Sequence, residues 1–94
     1  MRNYEIVAAF RVKENQYQTG VEAIKALIEK HKMVITSEKD MGDREMAYPV
    51  RKDERGHYHL INFQSKTSEI LKLDSDMKLV KEVLKYLIVR TDKD

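Results

Sequence analysis

The fold is decided by the stretch Met41–Phe63, which reads MGDREMAYPVRKDERGHYHLINF. Two segments that alternate with a period of two are joined by a short polar turn, Lys52–Gly56, and this pattern predicts a β-hairpin. The two sides of the first arm are Met46, Tyr48 and Val50 and, opposite them, Glu45, Ala47 and Pro49. The two sides of the second arm are His59, Ile61 and Phe63 and, opposite them, Tyr58, Leu60 and Asn62. Because proline cannot donate to a strand ladder, Pro49 predicts that the first arm lies at a sheet edge.

The segments around the hairpin predict two helices and two further strands. Residues 3–11 alternate and predict a central strand, and residues 84–90 predict the last strand. One helix is predicted over residues 15–32, with Asn15 as its N-cap and an apolar stripe of Tyr17, Gly20, Val21, Ile24, Leu27, Ile28 and His31. A second is predicted over residues 67–80, capped by Ser65 or Thr67, with Ile70, Leu73, Met77 and Val80 on one face. Gly42 predicts a bulge within the extended residues 33–51.

The resulting order of elements is β-α-β-β-α-β, which predicts an α+β fold of the ferredoxin-like, split βαβ type. In this arrangement a four-stranded antiparallel sheet packs both helices on one face, and its other face stays bare. Residues 1–94 are predicted to form a single domain, because a chain of 94 residues supports one modest core. Many functions share this fold, so the fold alone does not assign one.

Composition narrows the classes of function. The chain has 18 Lys and Arg against 16 Asp and Glu, a formal net charge of +2. A protein that holds nucleic acid alone usually has a larger basic excess, so any nucleic-acid contact is expected to be local or shared with a second protein. There are no cysteines, and no apolar run reaches membrane-spanning length. No leader segment is predicted, and these features suit the cytosol.

The sequence predicts no catalysis, no metal site and no cofactor. His57 and His59 would share a strand face, but two ligands fall short of the three or four that a metal site needs. Asp40, Asp43 and Asp53 have no nucleophile or base placed with them. Neither a phosphate-binding glycine loop nor a dinucleotide fingerprint is present.

Cations occur in two groups whose function the charges alone leave open. The hairpin contains Arg44, Arg51, Lys52 and Arg55, and the last helix and strand contain Lys78, Lys81, Lys85 and Arg90. Such residues contact phosphates without reading sequence, but acidic residues interleave with them, so a solvated charged surface fits equally well. The segment Arg55–Phe63 begins like an RNA-recognition motif but lacks its aromatic spacing, so base stacking on the sheet is not predicted.

Beyond these patterns, the chain resembles the bacterial ribosomal protein S6 family of the small subunit along nearly its whole length. The resemblance rests on the opening Met1–Ile6, on Gly42–Lys52 with its Ala47-Tyr48-Pro49 core, and on the ending Val83–Arg90. Met46 stands where leucine is usual in the family, and Lys85 stands where arginine is common. Lysine keeps the charge there but loses bidentate phosphate geometry.

The resemblance implies a structural ribonucleoprotein role in translation, without catalysis, in the cytoplasmic ribosome. It implies that the chain pairs with ribosomal protein S18 and that the pair binds the central domain of small-subunit ribosomal RNA during assembly. The expected rRNA-binding residues are Arg2, Arg44, Lys52, Lys85 and Arg90. The expected partner-binding residues are Val7, Tyr48, Tyr58 and Leu60. The alternative is a ferredoxin-like small-ligand or regulatory domain that dimerises through its sheet, although its glycines are scattered singly.

Overall fold

The computed structural model describes residues 1–13 and 15–92, and these residues form the elements in the predicted order. The elements are β1 (Arg2–Phe10), α1 (Gln16–Lys30), β2 (Val34–Val50), β3 (Asp53–Ser65), α2 (Thr67–Met77) and β4 (Val83–Arg90). The strands form one antiparallel sheet in the order β2-β3-β1-β4. The ferredoxin-like prediction is confirmed, with β1 central and the first arm of the hairpin at an edge.

One face of β1 forms the floor of the hydrophobic core. Ile6 pairs with Ile61 of β3 and with Ile88 of β4, and the same side of β1 bears Tyr4, Ala8 and Phe10, all buried. The helices cover this side through Val21, Ile24 and Ile28 of α1 and Leu73 and Met77 of α2. The alternate residues of the strands point to the opposite face, which no helix covers and which we call the open face.

Helix α1 packs unusually close to the sheet at Gly20. A Cβ atom placed on Gly20 would overlap the ring of Phe10 and lie 3.1 Å from Cβ of Glu82. Glycine lowers helix propensity, so its presence in a buried stripe has to be offset by a packing advantage. The absent side chain lets Phe10 lie fully buried against the helix.

The hairpin turn lies at Arg51–Lys52, so the prediction of a turn over Lys52–Gly56 is wrong. Arg51 and Lys52 have φ angles of 51° and 69°, and Val50 pairs with Asp53 directly across them. Two consecutive residues with positive φ match the twist of the flanking strands, which is why two-residue hairpins use this geometry. The strand β3 already includes Gly56, which pairs with Arg44.

The predicted bulge and the position of the N-cap of α1 are confirmed, whereas the predicted N-cap of α2 is wrong. The pairing of β2 with β3 shifts between Asp40 and Gly42, and Gly42 has a φ of 85°. Asn15 does occupy the N-cap of α1, but its side chain makes no capping hydrogen bond. Lys66 occupies the N-cap of α2 in place of Ser65 or Thr67, and the hydroxyl of Ser65 donates to the carbonyl of Lys66 instead.

No helix in residues 1–13 and 15–92 is long and apolar enough to cross a membrane.

The close approach at Gly20 makes a prediction about stability. Glycine to alanine in a helix normally stabilises by about 1 kcal/mol. Gly20→Ala is expected to lower the free energy of unfolding by about 1–3 kcal/mol instead, because the new methyl group overpacks the core against Phe10. Urea denaturation measures the change. Gln18→Ala, at an exposed position of the same helix, is the control and should be close to neutral. A more stable Gly20→Ala variant would contradict the packing argument.

Candidate partner and nucleic-acid interface

The centre of the open face is apolar. Val7 of β1 pairs with Leu60 of β3 on one side and with Leu87 of β4 on the other. Leu87 is 61% exposed, and Val89 on the same face is also exposed. An uncovered apolar patch on a small protein, bordered by polar groups, marks an interaction surface.

Two tyrosines extend this apolar centre. Tyr58 pairs with Ala9 beside it, and Tyr48 of β2 is 63% exposed. The ammonium of Lys85 lies 5.4 Å from the ring centroid of Tyr48 and 5.9 Å from that of Tyr58. We call the set Val7, Tyr48, Tyr58, Leu60, Lys85 and Leu87 the open-face patch. It unites all four residues predicted to bind a partner.

The contact between Tyr48 and Lys85 joins strands from opposite edges of the sheet. β2 and β3 extend beyond the end of β1, where Phe10 pairs with His57. The pairing of β2 is irregular between Glu45 and Val50, and Nη1 of Arg51 donates to the carbonyl of Lys81 at 3.3 Å. Bulges and strong twist bend a strand out of its sheet. The hairpin end therefore crosses to β4 and places Tyr48 on the patch.

This bending separates two residues that the sequence pattern groups together. Met46 and Tyr48 share one side of the predicted alternation, but Met46 is 5% exposed, whereas Tyr48 is largely exposed. A Cβ on Gly56 would lie 3.1 Å from Cβ of Ala9 and 3.6 Å from Sδ of Met46, so Met46 is buried in the bend over the sheet end. Residues that the alternation places on the same side of the strand therefore differ in burial here.

Sequence reasoning missed Leu87. The segment Leu84–Arg90 is apolar at most positions, so a period of two cannot show which of its residues face outward. Only the pairing of Leu87 with Val7 assigns it to the open face.

The five cations predicted to contact RNA do not form one cluster. Arg2 and Arg90 lie at one end of the sheet, where Arg90 pairs with Tyr4. Lys52 lies at the hairpin turn beyond the opposite end, Arg44 lies on β2 near it, and Lys85 lies within the open-face patch. Two groups of cations therefore lie on either side of the apolar patch. The molecule extends 37 Å along its longest axis.

Several cations in the same regions already form ion pairs or hydrogen bonds within the chain. Nε of Arg55 lies 2.9 Å from Oδ1 of Asp43, and Nζ of Lys78 lies 3.5 Å from Oδ2 of Asp74. Nε of Arg44 donates to the carbonyl of Met41 at 3.1 Å. Within residues 1–13 and 15–92, neither Arg2 nor Lys52 forms an ion pair. Their charges are available to phosphates.

A polar cluster fastens the edge strand β2 to α1 on the helix side of the sheet. The ring of Tyr17 stacks on His57 at a centroid distance of 3.5 Å. A hydrogen bond of 2.7 Å joins the Tyr17 hydroxyl and Nδ1 of His59, and one of 3.0 Å joins Nε2 of His59 and Oε1 of Glu38. Lys25 lies 2.7 Å from the other carboxylate oxygen of Glu38.

Titration in this cluster follows from its contacts. Hydrogen bonds from Lys25 and then His59 hold the pKa of Glu38 below its ordinary value of 4.5. Hydrogen bonds from His57 and from the backbone N–H of Gly42 likewise lower the pKa of Asp40. Burial, together with the charge of Asp40, raises the pKa of Tyr17 to about 12. Within the described part of the chain, no three His, Cys, Asp or Glu residues form a metal-binding group.

The lowered pKa of Glu38 predicts how stability depends on pH. Because this pKa is depressed in the folded chain, the carboxylate stabilises the fold above the unfolded value of 4.5. The contribution is lost as the pH falls through the lowered pKa. Wild type should therefore lose more unfolding free energy than Glu38→Gln between about pH 5 and about pH 3, measured by urea denaturation. Glu22→Gln, an exposed carboxylate of α1, should keep the wild-type slope. The prediction fails if Glu38→Gln keeps it too.

Comparison with known proteins identifies the group to which this chain is similar. A family model described as "Ribosomal protein S6" matches residues 3–90. Small ribosomal subunit protein bS6 of Treponema denticola is 36% identical over 92 residues, covering 98% of this chain and 99% of that protein. The bS6 protein of Leptospira biflexa is 35% identical over 92 residues with the same coverage of both chains, 98% and 99%.

A solved structure is similar in fold. The crystal structure of 30S ribosomal protein S6 from Thermotoga maritima matches with a TM-score of 0.87 and 25% identity, covering 96% of this chain and 87% of that one. The matched proteins are named as ribosomal proteins and not as enzymes, which confirms the expectation of a non-catalytic role. The chain belongs to the ribosomal protein S6 family of the small ribosomal subunit.

Proposed function

We propose that this small-subunit ribosomal protein binds the central domain of small-subunit ribosomal RNA as a heterodimer with ribosomal protein S18 and so aids assembly. The observation that supports this most directly is the open-face patch with cations beyond both of its ends. The apolar centre suits a protein partner, and the flanking cations suit phosphates. In this arrangement the apolar centre of the open face contacts the protein partner, and the cations beyond its ends contact RNA.

The protein side of the proposal rests on the character of the patch. Leu87 and Tyr48 are each more than half exposed, and Leu60 and Val7 lie between the edge strands. Tyrosines that combine apolar area with a polar hydroxyl are typical anchors in interfaces. A partner that covers these residues removes the exposed apolar surface from water, which is the main driving force for such association.

The RNA side of the proposal rests on the cations at the two ends of the sheet. Arg2 and Arg90 at one end, and Arg44 and Lys52 at the other, lie on elements fixed by the sheet. Contacts to phosphates set the position of a protein on RNA without reading its bases. A net charge of +2 yields few such contacts, so a basic partner is needed to reach useful affinity.

A charge on the patch should weaken binding of the partner. Leu87→Asp places a carboxylate in the apolar centre, where a bound partner would desolvate it. Isothermal calorimetry with purified S18 is expected to show at least about a tenfold loss of affinity. Leu79→Asp is the matched control, because Leu79 is 82% exposed on the helix side. Unchanged affinity of Leu87→Asp, or a stable homodimer of the chain through this face, would overturn the proposal.

Removal of the cations at the sheet end should change the salt dependence of RNA binding. With Arg2→Gln and Arg90→Gln together, the slope of log affinity against log salt should fall by about one per cation removed. The measurement is filter binding of a central-domain RNA fragment by the S18 complex at several salt concentrations. Lys66→Gln with Lys72→Gln, on the helix side, is the control for the loss of two charges. An equal slope for both double variants would reject Arg2 and Arg90 as RNA contacts.

A further inference from the structure

A second basic site lies at the hairpin end of the molecule, apart from the open-face patch. There the end of β1, the hairpin turn, the start of α1 and the loop before β4 surround a cavity of about 530 Å³. Arg11, Arg51, Lys81 and Glu82 line it together with Asn15 and Gln16. None of its three cations belongs to the set predicted from the sequence to bind RNA.

The three cations come from three separate segments that the fold locks together. Arg51 has a φ of 51° in the tight hairpin turn, and its Nη1 donates to the carbonyl of Lys81 at 3.3 Å. The backbone N–H of Arg11 donates to the carbonyl of Glu82 at 3.4 Å. These backbone-anchored contacts hold the cations around one space before any ligand arrives, so a ligand meets groups that are already in place.

Arg11 supplies the observation that points to a ligand. Its Nε is buried and, within the described part of the chain, has no hydrogen-bond partner. The closest carboxylate oxygen, Oδ2 of Asp53, lies 3.7 Å away, beyond hydrogen-bond distance. A buried donor without an acceptor is unfavourable, and native proteins nearly always satisfy one. An anion in the cavity would give this N–H an acceptor.

The charges facing the cavity favour an anion. Among the described residues that line it, three are cations and Glu82 is the one acidic residue, with Asp53 beside Arg11. Arginine presents a planar fork of donors that matches the oxygens of a phosphate group. We propose that this cavity binds a phosphate group, held by Arg11 and Arg51 with Lys81 as the third cation.

A second cavity provides a matched comparison. It is lined by Met1, Lys30, His31, Lys32, Lys66 and Glu69, and so also has three cationic side chains and one Glu. None of the described residues that line it is an arginine, and Nζ of Lys30 lies 3.3 Å from Asp76. Like Arg51, Lys32 has a positive φ angle, which is 59°. If anions were only attracted to lysines in general, they would bind at both cavities. The proposed phosphate site instead predicts binding at the first cavity and not at the second.

The proposal concerns the chain alone and stands whether or not the proposed RNA function is correct. The phosphate could belong to an RNA backbone or be free inorganic phosphate, since both present the same oxygens to the two arginines. The test therefore begins with inorganic phosphate and the isolated chain and then turns to RNA.

The experiment is a titration of the ¹⁵N-labelled full chain with inorganic phosphate, with sodium chloride adjusted to keep ionic strength constant. Saturable shifts are expected in the backbone amides of Arg11, Gln16, Arg51 and Lys81. Arg11→Gln with Arg51→Asn should weaken binding about tenfold or more, because two charge-assisted contacts are lost. Asparagine is chosen at position 51 because it tolerates positive φ. Lys32→Asn with Lys66→Gln loses the same charge and should bind as wild type does.

The outcomes are distinguishable. Linear shifts that are equal in wild type and both variants would overturn the site, and well-dispersed spectra of each variant show that it is folded. If the site binds phosphate, the same variants are compared for affinity to the central-domain RNA fragment in the S18 complex. A loss confined to Arg11→Gln with Arg51→Asn identifies the ligand as RNA backbone, and unchanged RNA affinity identifies it as free phosphate.

Discussion

The pairing of β1 along both of its edges is the constraint on which the rest of this structure depends. Because β1 is held between β3 and β4, its side chains must alternate between a face that the helices cover and a face that they do not. Ile6 anchors the first face and is completely buried. Val7 lies on the second, where it pairs with Leu60 and Leu87 at the centre of the proposed partner surface.

The long hairpin of β2 and β3 extends beyond the end of β1. The edge strand β2 is fastened to α1 through Tyr17, His59 and Glu38, well before the hairpin turn. Beyond that fastening the hairpin bends across the end of the sheet and meets β4. The bend places Tyr48 beside Lys85 on the open face. The same bend places Arg51 beside Lys81, where the proposed phosphate site forms.

Lys85 belongs both to the cations predicted to contact RNA and to the open-face patch. By residue type it is a candidate for contact with phosphate, and the sequence prediction groups it with Arg2 and Arg90. In the fold its ammonium lies over two tyrosine rings, where the negative faces of the rings attract it.

Local sequence patterns were enough to predict the order of elements, the ferredoxin-like fold, the edge position of β2, the bulge at Gly42 and the family. These follow from local periodicity, from the missing donor of Pro49 and from a distinctive run around Ala47-Tyr48-Pro49. Tertiary structure alone decided the burial of Met46, the exposure of Leu87 and the meeting of Arg11, Arg51 and Lys81. Each depends on how distant segments bend and pair, and a period of two along one segment contains no information about contacts between segments.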